Sequence, residues 1–196
     1  MLPTVHLIRH GATEWSATGR HTGLTDVPLT TDGEIEARDL RDRLRGTSFT
    51  QVLSSPLIRA RRTCELTELS LAAEIEPDLR EWDYGDFEGL RTAEIIARGH
   101  SRWNVFTDGC PDGESPAAIT ERADRVVARL RLCSGDVAVF SHAHFLRSLA
   151  VRWIGLSLDA AQRLYLNTGS ISVVGFEHGR EDEPVIQLWN ERRRVR

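Results

Sequence analysis

The sequence contains no lysine, and all 25 of its basic residues are arginine. Genome base composition accounts for such a bias, but the chemical consequence holds whatever its origin. A Schiff-base lysine, the lysine of a phosphate-binding P-loop and the catalytic lysine of a protein kinase are all excluded. Any phosphate group that binds to this chain must therefore be held by arginine and histidine side chains.

Cysteine is scarce as well. The three cysteines, Cys64, Cys110 and Cys133, are odd in number and lie far apart in the sequence. They match no metal-ligand spacing, which is typical of a protein in a reducing compartment. The first residues lack the basic and apolar regions of a secretory signal. We therefore expect a cytoplasmic protein.

Long apolar runs and an excess of positive charge are also missing. No run of about 18 apolar residues occurs, so we expect no membrane partner. The formal net charge of −4 argues against a nucleic acid partner. A length of 196 residues, 40% of them hydrophobic, fits one domain spanning residues 1–196. A domain of this size buries about 70% of the surface of its unfolded chain.

Short apolar segments alternate with segments of helical periodicity along the chain. Strands are predicted at residues 5–8, 49–53, 73–75, 136–140, 170–176 and 184–189. A capping box at residues 31–34 predicts a helix that buries Ile35, Leu40 and Leu44 on one face. The alternation predicts an α/β fold: a single domain of three α/β/α layers, with a mostly parallel sheet and helices on both faces.

Two of the predicted strands run directly into a histidine, His10 after the first and His142 after the fourth. Parallel neighbours would place both rings at the same edge of the sheet. Arg9 accompanies His10, and Arg59 can reach this edge from the helix after the second strand. Two arginines and two histidines suit a phosphoryl group, and imidazole is a competent nucleophile. Taken alone, Arg9-His10-Gly11 is equally compatible with a solvated strand end.

A phosphoryl transfer of this kind also needs an acid to protonate the leaving oxygen. Glu81 lies at the predicted edge, in an irregular segment at residues 79–89 that mixes aromatic, acidic and glycine residues. A metal site is the rival interpretation of paired histidines. His10 and His142 lack partners at helical spacing, and the adjacent arginine disfavours a cation. We therefore expect neither a metal nor another cofactor.

Four segments in this order resemble the motifs of the histidine phosphatase superfamily, in its phosphoglycerate mutase-like branch. They are L-I-R-H-G-A-T-E-W, S-S-P-L-I-R-A-R-R-T, L-R-E-W-D-Y-G-D-F-E-G and V-F-S-H-A-H-F-L-R. The second motif usually ends in R-A-x-Q-T in the family, whereas this chain has Arg62 in place of the glutamine. The resemblance covers nearly the whole chain and implies a phosphoglycerate mutase-like fold.

The resemblance also implies a role for particular residues. His10 would carry the phosphoryl group during turnover, and Glu81 would be the general acid and then the base for water. Arg9, Arg59 and His142 would hold the phosphoryl oxygens. The residues implied to contact the substrate or border its pocket are Ser16, Thr22, Gly23, Tyr84 and Glu114. A helix cap is the alternative role for the loop that contains Glu114.

The departures from the family pattern bear on the reaction. Mutases of the family have a long insertion, an asparagine where this chain has Ser16, and a pocket lysine. Their absence favours a phosphatase, similar to the acid phosphatase and sugar-bisphosphatase-like subgroup, acting on small phosphorylated metabolites such as sugar phosphates or bisphosphates. A phosphoglycerate mutase and an inactive protein that binds phosphorylated ligands are the open alternatives. A homodimer is an open alternative to a monomer.

Overall fold

Six strands form one mixed sheet in the computed structural model, which describes residues 1–70 and 73–192. The strands are β1 (Pro3–Arg9), β2 (Phe49–Ser54), β3 (Ala73–Ile75), β4 (Gly135–Ser141), β5 (Ile171–Phe176) and β6 (Pro184–Glu191). Their order across the sheet is β3-β2-β4-β1-β5-β6. The β2–β3, β2–β4 and β1–β4 pairs are parallel, whereas β5 runs antiparallel to β1 and β6. The predicted strands and the mostly parallel sheet are confirmed.

Helices connect these strands. They are α1 (Glu14–Ala17), α2 (Thr31–Leu44), α3 (Ile58–Leu66), α4 (Thr92–Ala97), α5 (Val105–Asp108), α6 (Pro116–Arg131) and α7 (Ala143–Trp153). Short 3-10 segments occur at Pro77–Leu79, Gly85–Phe87 and Leu158–Arg163. Within the described residues, no helix is long and apolar enough to cross a membrane.

The start and the buried face of α2 differ from the prediction. The capping residue is Thr30, whose backbone is extended and whose hydroxyl accepts a hydrogen bond from the Gly33 N–H, so the predicted capping box begins one residue too late. Ile35 is 57% exposed, whereas Leu40 is fully buried. A five-residue step turns a helix by about 140°, so these two side chains cannot share a face. Ala37, Leu40 and Leu44 form the buried face instead.

Two apolar cores, one on each side of the sheet, confirm the predicted three layers. In β1, Val5 and Leu7 contribute to one core and Ile8 contributes to the other, as the alternation of strand side chains requires. Residues of α6 and α7 complete the first core, and residues of α2 and α3 complete the second.

The pairing of β1 with β4 determines where the candidate site lies. The two strands are parallel, and Arg9 at the end of β1 is the partner of Ser141 at the end of β4. The backbone N–H of His10 continues this ladder by donating to the Ser141 carbonyl at 3.1 Å. The residues that follow both strands therefore emerge side by side at the carboxyl edge of the sheet, as predicted.

Candidate active site

His10 lies at the carboxyl edge with one ring nitrogen fixed. Its Nδ1 is 2.7 Å from the Gly11 carbonyl oxygen. A carbonyl oxygen only accepts, so Nδ1 carries the proton and the neutral ring has its lone pair on Nε2. Burial, followed by the charges of Arg59 and Arg9, lowers the pKa of His10 well below its ordinary value. The ring is therefore held neutral, which is the form that can act as a nucleophile.

Arg9 is the last residue of β1 and directly precedes His10 at the carboxyl edge of the sheet. Its Nη1 donates to the Leu166 carbonyl at 2.5 Å. Its Nε is buried and has no hydrogen-bond partner among the residues that the structure describes. An unpaired buried donor costs about 1–3 kcal/mol, so this nitrogen favours any acceptor placed beside it.

Arg59 and His142 lie behind His10, and both are fully buried. The ring centroids of His142 and His10 are 5.1 Å apart. The Arg59 Nε donates to His142 Nδ1 at 3.1 Å, so the proton of the neutral His142 ring is on Nε2, which donates to the Ser55 hydroxyl at 2.8 Å. Burial, followed by the charge of Arg59, lowers the pKa of His142 well below its ordinary value.

The other donors of Arg59 face the segment after α1. Its Nη1 donates to the Thr25 carbonyl, and its Nη2 donates to the carbonyls of Thr22 and Gly23, at 2.8–3.0 Å. The structure therefore brings Arg59 and His142 near His10, as predicted. Their hydrogen bonds, however, are made with each other and with neighbouring residues of the chain.

Glu81 reaches the site from the segment before the 3-10 turn at residues 85–87. Its carboxylate accepts hydrogen bonds from the backbone N–H groups of Trp82, His144 and Phe145 at 2.8–3.1 Å. His144 and Phe145 begin α7, where backbone N–H groups have no partner within the helix. The first turn of α7 thus fixes the position of the Glu81 carboxylate.

A cavity of about 200 Å³ is lined by His10, Arg9 and Glu81, whereas Arg59 and His142 are not among the lining residues that the structure describes. The predicted substrate residues Ser16, Thr22 and Tyr84 also line it. Glu81 is the one acidic residue among the lining residues that the structure describes. Within residues 1–70 and 73–192, no group of three or more histidine, cysteine, aspartate or glutamate side chains is placed to hold a metal ion.

Sequence reasoning did not assign to this cavity four of its lining residues, two arginines and two histidines: Arg20, His21, His144 and Arg147. Burial lowers the pKa of His21 to about 4 and that of Arg147 to about 10, so near neutral pH the histidine is uncharged and the arginine is a cation. The sequence could have predicted two of these four residues, because His144 and Arg147 are three residues apart on α7 and therefore lie on one face of the helix.

Two predicted substrate residues do not line the cavity. Gly23 is buried, and its N–H donates to the Glu88 carboxylate at 2.9 Å. A Cβ at this position would lie 2.5 Å from the Trp82 carbonyl oxygen, so the close packing requires glycine. Glu114 pairs with Arg122 at 2.6 Å, with only 8% of its side chain exposed. Its carboxylate is thus engaged inside the protein rather than at the pocket border.

Comparison with known proteins finds similarity along nearly the whole chain. The family model described as the histidine phosphatase superfamily (branch 1) matches residues 5–192. The chain is 42% identical over 187 residues to an acid phosphatase of Mycobacterium tuberculosis, covering 93% of this chain and 91% of the relative. It is 33% identical over 251 aligned positions to a sedoheptulose 1,7-bisphosphatase of Saccharomyces cerevisiae, covering 96% and 93%.

Further relatives are named as probable phosphoglycerate mutases. Among solved structures, the product of an open reading frame of Mycobacterium tuberculosis superimposes with a TM-score of 0.86 at 38% identity, covering 95% of this chain and 96% of that one.

Proposed function

The chain belongs to the histidine phosphatase superfamily (branch 1), and we propose that it hydrolyses phosphomonoesters through a phosphohistidine intermediate on His10. The family predicted from the four sequence motifs is confirmed. The chain is an enzyme, a phosphatase that acts on small phosphorylated metabolites. The finer assignments below, of residues and of substrate, are our proposal.

The observation that carries the mechanism is the state of His10, neutral with Nδ1 bound to the Gly11 carbonyl, in a cavity shared with Arg9 and Glu81. The Nε2 lone pair attacks phosphorus, and the bond from phosphorus to the ester oxygen breaks. Glu81 in its acid form gives its proton to the departing alkoxide. The resulting carboxylate then takes a proton from water, whose oxygen attacks the phosphohistidine, releasing phosphate and restoring His10.

Arginine supplies the positive charge that this transfer needs. The buried Nε of Arg9 has no partner among the described residues, and a phosphoryl oxygen would satisfy it. We assign Arg59 and His142 to the same anion, since both adjoin His10 and Arg59 lowers the pKa of both histidines. Because side chains of this site supply the charge, the proposed mechanism uses no metal or other cofactor.

For the substrate we propose sugar phosphates or bisphosphates. Arg20 and Arg147 also line the cavity, where they would attract a second anionic group on the leaving alcohol. The relatives named as probable mutases keep phosphoglycerate mutase as the second candidate. A mutase must protect its phosphohistidine from water, and the absence of lysine and the presence of Ser16 favour the phosphatase.

The decisive substitution is His10→Ala. We expect it to lower kcat/KM for p-nitrophenyl phosphate by at least about a thousandfold, because it removes the atom that accepts the phosphoryl group. Wild-type enzyme quenched with substrate should carry one acid-labile phosphate, located on His10 by mass spectrometry, and EDTA in every assay should leave its activity unchanged. His6→Ala, at a histidine in β1 that binds Asp136, is the matched control.

Two results would contradict the proposal. Activity of His10→Ala within tenfold of the wild type would exclude His10 as the nucleophile. Interconversion of 2- and 3-phosphoglycerate without net release of phosphate would replace the phosphatase by a mutase. A panel of phosphorylated metabolites that includes sugar monophosphates and bisphosphates, assayed for phosphate release, would identify the substrate.

We also propose that the protein acts in the cytoplasm. Cys64, Cys110 and Cys133 are all free thiols in the structure, which suits a reducing compartment. Fractionation of the cells that produce the protein, followed by immunoblotting, tests this location.

A further inference from the structure

We propose that the buried pair Arg122–Glu114 is a positioning device that holds Glu81 where it can protonate the leaving group. The proposal rests on the proposed role of Glu81 as general acid. It gives a function to Arg122, a charged side chain that is fully buried outside the cavity, and to Glu114, which does not line the cavity either.

The two side chains meet through two parallel hydrogen bonds. The Arg122 Nε donates to Glu114 Oε1 at 2.8 Å, and Nη2 donates to Oε2 at 2.6 Å. Arg122 lies in the middle of α6, whereas Glu114 lies in the loop just before that helix. Because only 1% and 8% of the two side chains are exposed, solvent does not weaken the pair.

The remaining donors of Arg122 hold the chain that leads into Glu81. Its Nη1 donates to the carbonyls of Asp78 and Arg80, each at 2.7 Å, and its Nη2 donates to the carbonyl of Glu81 itself at 3.3 Å. One planar guanidinium thus binds three carbonyls within four consecutive residues. A flexible ammonium group could not reproduce this arrangement.

The contact extends to a group that binds the Glu81 carboxylate. The Arg122 guanidinium lies over the ring of Phe145, 4.4 Å from its centroid. The backbone N–H of Phe145 donates to Glu81 Oε1 at 2.8 Å. Arg122 therefore contacts both the backbone of Glu81 and the residue that anchors its side chain.

Glu114 holds the other side of Glu81 through its main chain. The indole N–H of Trp82 donates to the Glu114 carbonyl at 2.8 Å, and the Glu114 N–H donates to the Asp83 carbonyl at 2.8 Å. These two hydrogen bonds tie the two residues that follow Glu81 to the loop before α6.

Taken together, Arg122 fixes the residues before Glu81 and Glu114 fixes those after it. A buried ion pair is a weak source of stability, because desolvation offsets most of the attraction. General acid catalysis, by contrast, requires the acid within hydrogen-bond reach of the leaving oxygen, and small displacements are costly. The pair therefore acts on the geometry of Glu81 rather than mainly on the free energy of folding.

The test is Arg122→Lys, assayed as kcat/KM for a sugar phosphate and for p-nitrophenyl phosphate. The ratio kcat/KM reports on the steps up to phosphorylation of His10. In these steps Glu81 assists a poor leaving group, the alkoxide of a sugar, but not a good one such as p-nitrophenolate. We expect kcat/KM for the sugar phosphate to fall at least about tenfold more than kcat/KM for p-nitrophenyl phosphate. A general acid contributes about a hundredfold or more, and a displaced acid should lose part of that contribution. An equal fall for both substrates would overturn the proposal.

Three further variants make the result specific. Arg125→Lys is the matched control, since Arg125 lies on α6, is exposed and binds the side chain of Asp78; it should change neither value. Glu114→Gln keeps the main-chain contacts and should show a smaller loss of kcat/KM, again selective for the sugar phosphate. It replaces Arg122→Lys as the test if Arg122→Lys does not fold. Adding Arg122→Lys to Glu81→Gln should produce no further selective loss.

Glu81→Gln alone separates the two proposals. If it slows both substrates equally, Glu81 is not the acid and the proposed mechanism fails. If it slows the sugar phosphate selectively but neither Arg122→Lys nor Glu114→Gln does so, only the positioning role is refuted.

Discussion

At the scale of single residues, the proposed role of His10 as the nucleophile depends on which ring nitrogen carries the proton. The Gly11 carbonyl binds Nδ1, and this contact leaves the Nε2 lone pair for phosphorus. Burial and the charges of Arg59 and Arg9 lower the pKa of the ring, so protonation of Nε2 is disfavoured. The same arginines that would bind the phosphoryl group thus also keep the nucleophile available.

We predict that His10 remains neutral, with its proton on Nδ1, at the ordinary histidine midpoint of about pH 6.5. The lowered pKa shifts protonation to more acidic pH, so the neutral form persists as the pH falls through this value. Nitrogen-15 NMR of the histidine rings, with His10 assigned by its absence in His10→Ala, measures both the charge and the tautomer. A positively charged His10 ring at pH 6.5 would contradict the electrostatic account.

At the scale of secondary-structure elements, two glycines bring the loop after His10 against the start of α2. A Cβ on Gly11 would lie 2.1 Å from the Gly33 carbonyl oxygen, and a Cβ on Gly33 would lie 2.0 Å from the Ala12 carbonyl oxygen. Both obstacles are backbone atoms, which cannot rotate away as a side chain can. The close approach of α2 and the loop therefore requires glycine at both positions.

We predict that Gly33→Ala destabilises the protein by about 1–3 kcal/mol, the usual cost of overpacking. In a helix without this neighbour, the same change would stabilise by about 1 kcal/mol. Since Ala12 follows Gly11 directly, the loop after His10 must also shift, and kcat/KM should fall. Urea unfolding and p-nitrophenyl phosphate assays measure the two effects.

Ile35→Ala in the same helix is the control for Gly33→Ala. Ile35 is 57% exposed, so this change should alter the free energy of unfolding by less than about 0.5 kcal/mol and leave kcat/KM unchanged. A Gly33→Ala protein that is more stable than the wild type would show that the contact with Ala12 relaxes without strain.

The elements also show what the sequence could and could not predict. The alternating apolar residues of β1 and β4 predicted buried neighbouring strands, and hence that His10 and His142 meet. The contacts of Arg59 with residues 22–25 and with His142, and those of Arg122 with residues 78–81, were not predictable. They join residues 34 to 83 positions apart along the chain, and no local pattern encodes such pairs. Glu114 was interpreted as a pocket residue although its partner, Arg122, is only eight positions further along the chain, because this pairing depends on how the loop before α6 folds back on the helix.

At the scale of the whole molecule, four of the histidines are buried or half-buried in or next to the candidate active site. Burial is the first cause of a lowered pKa at His10, His21, His142 and His144. In the unfolded chain these rings take up protons near their ordinary pKa of about 6.5, whereas in the folded protein they stay neutral to lower pH. Between these values the unfolded state binds more protons, so stability rises with pH and falls as the solution becomes acidic.

We predict that the free energy of unfolding decreases as the pH is lowered from about 6.5 to about 5, before most carboxylates titrate. Each histidine protonated only in the unfolded state contributes a slope of up to about 1.4 kcal/mol per pH unit, and the four rings together should give an uptake of more than one proton on unfolding. Urea unfolding at a series of pH values measures this slope, and data above about pH 7.5, where histidine is neutral in both states, provide the internal reference.

His144→Asn removes one of the four rings and should reduce the slope by up to about 1.4 kcal/mol per pH unit. A slope of zero between pH 6.5 and 5 would mean that these rings take up protons equally in the folded and unfolded states, and the neutral nucleophile would then need another explanation.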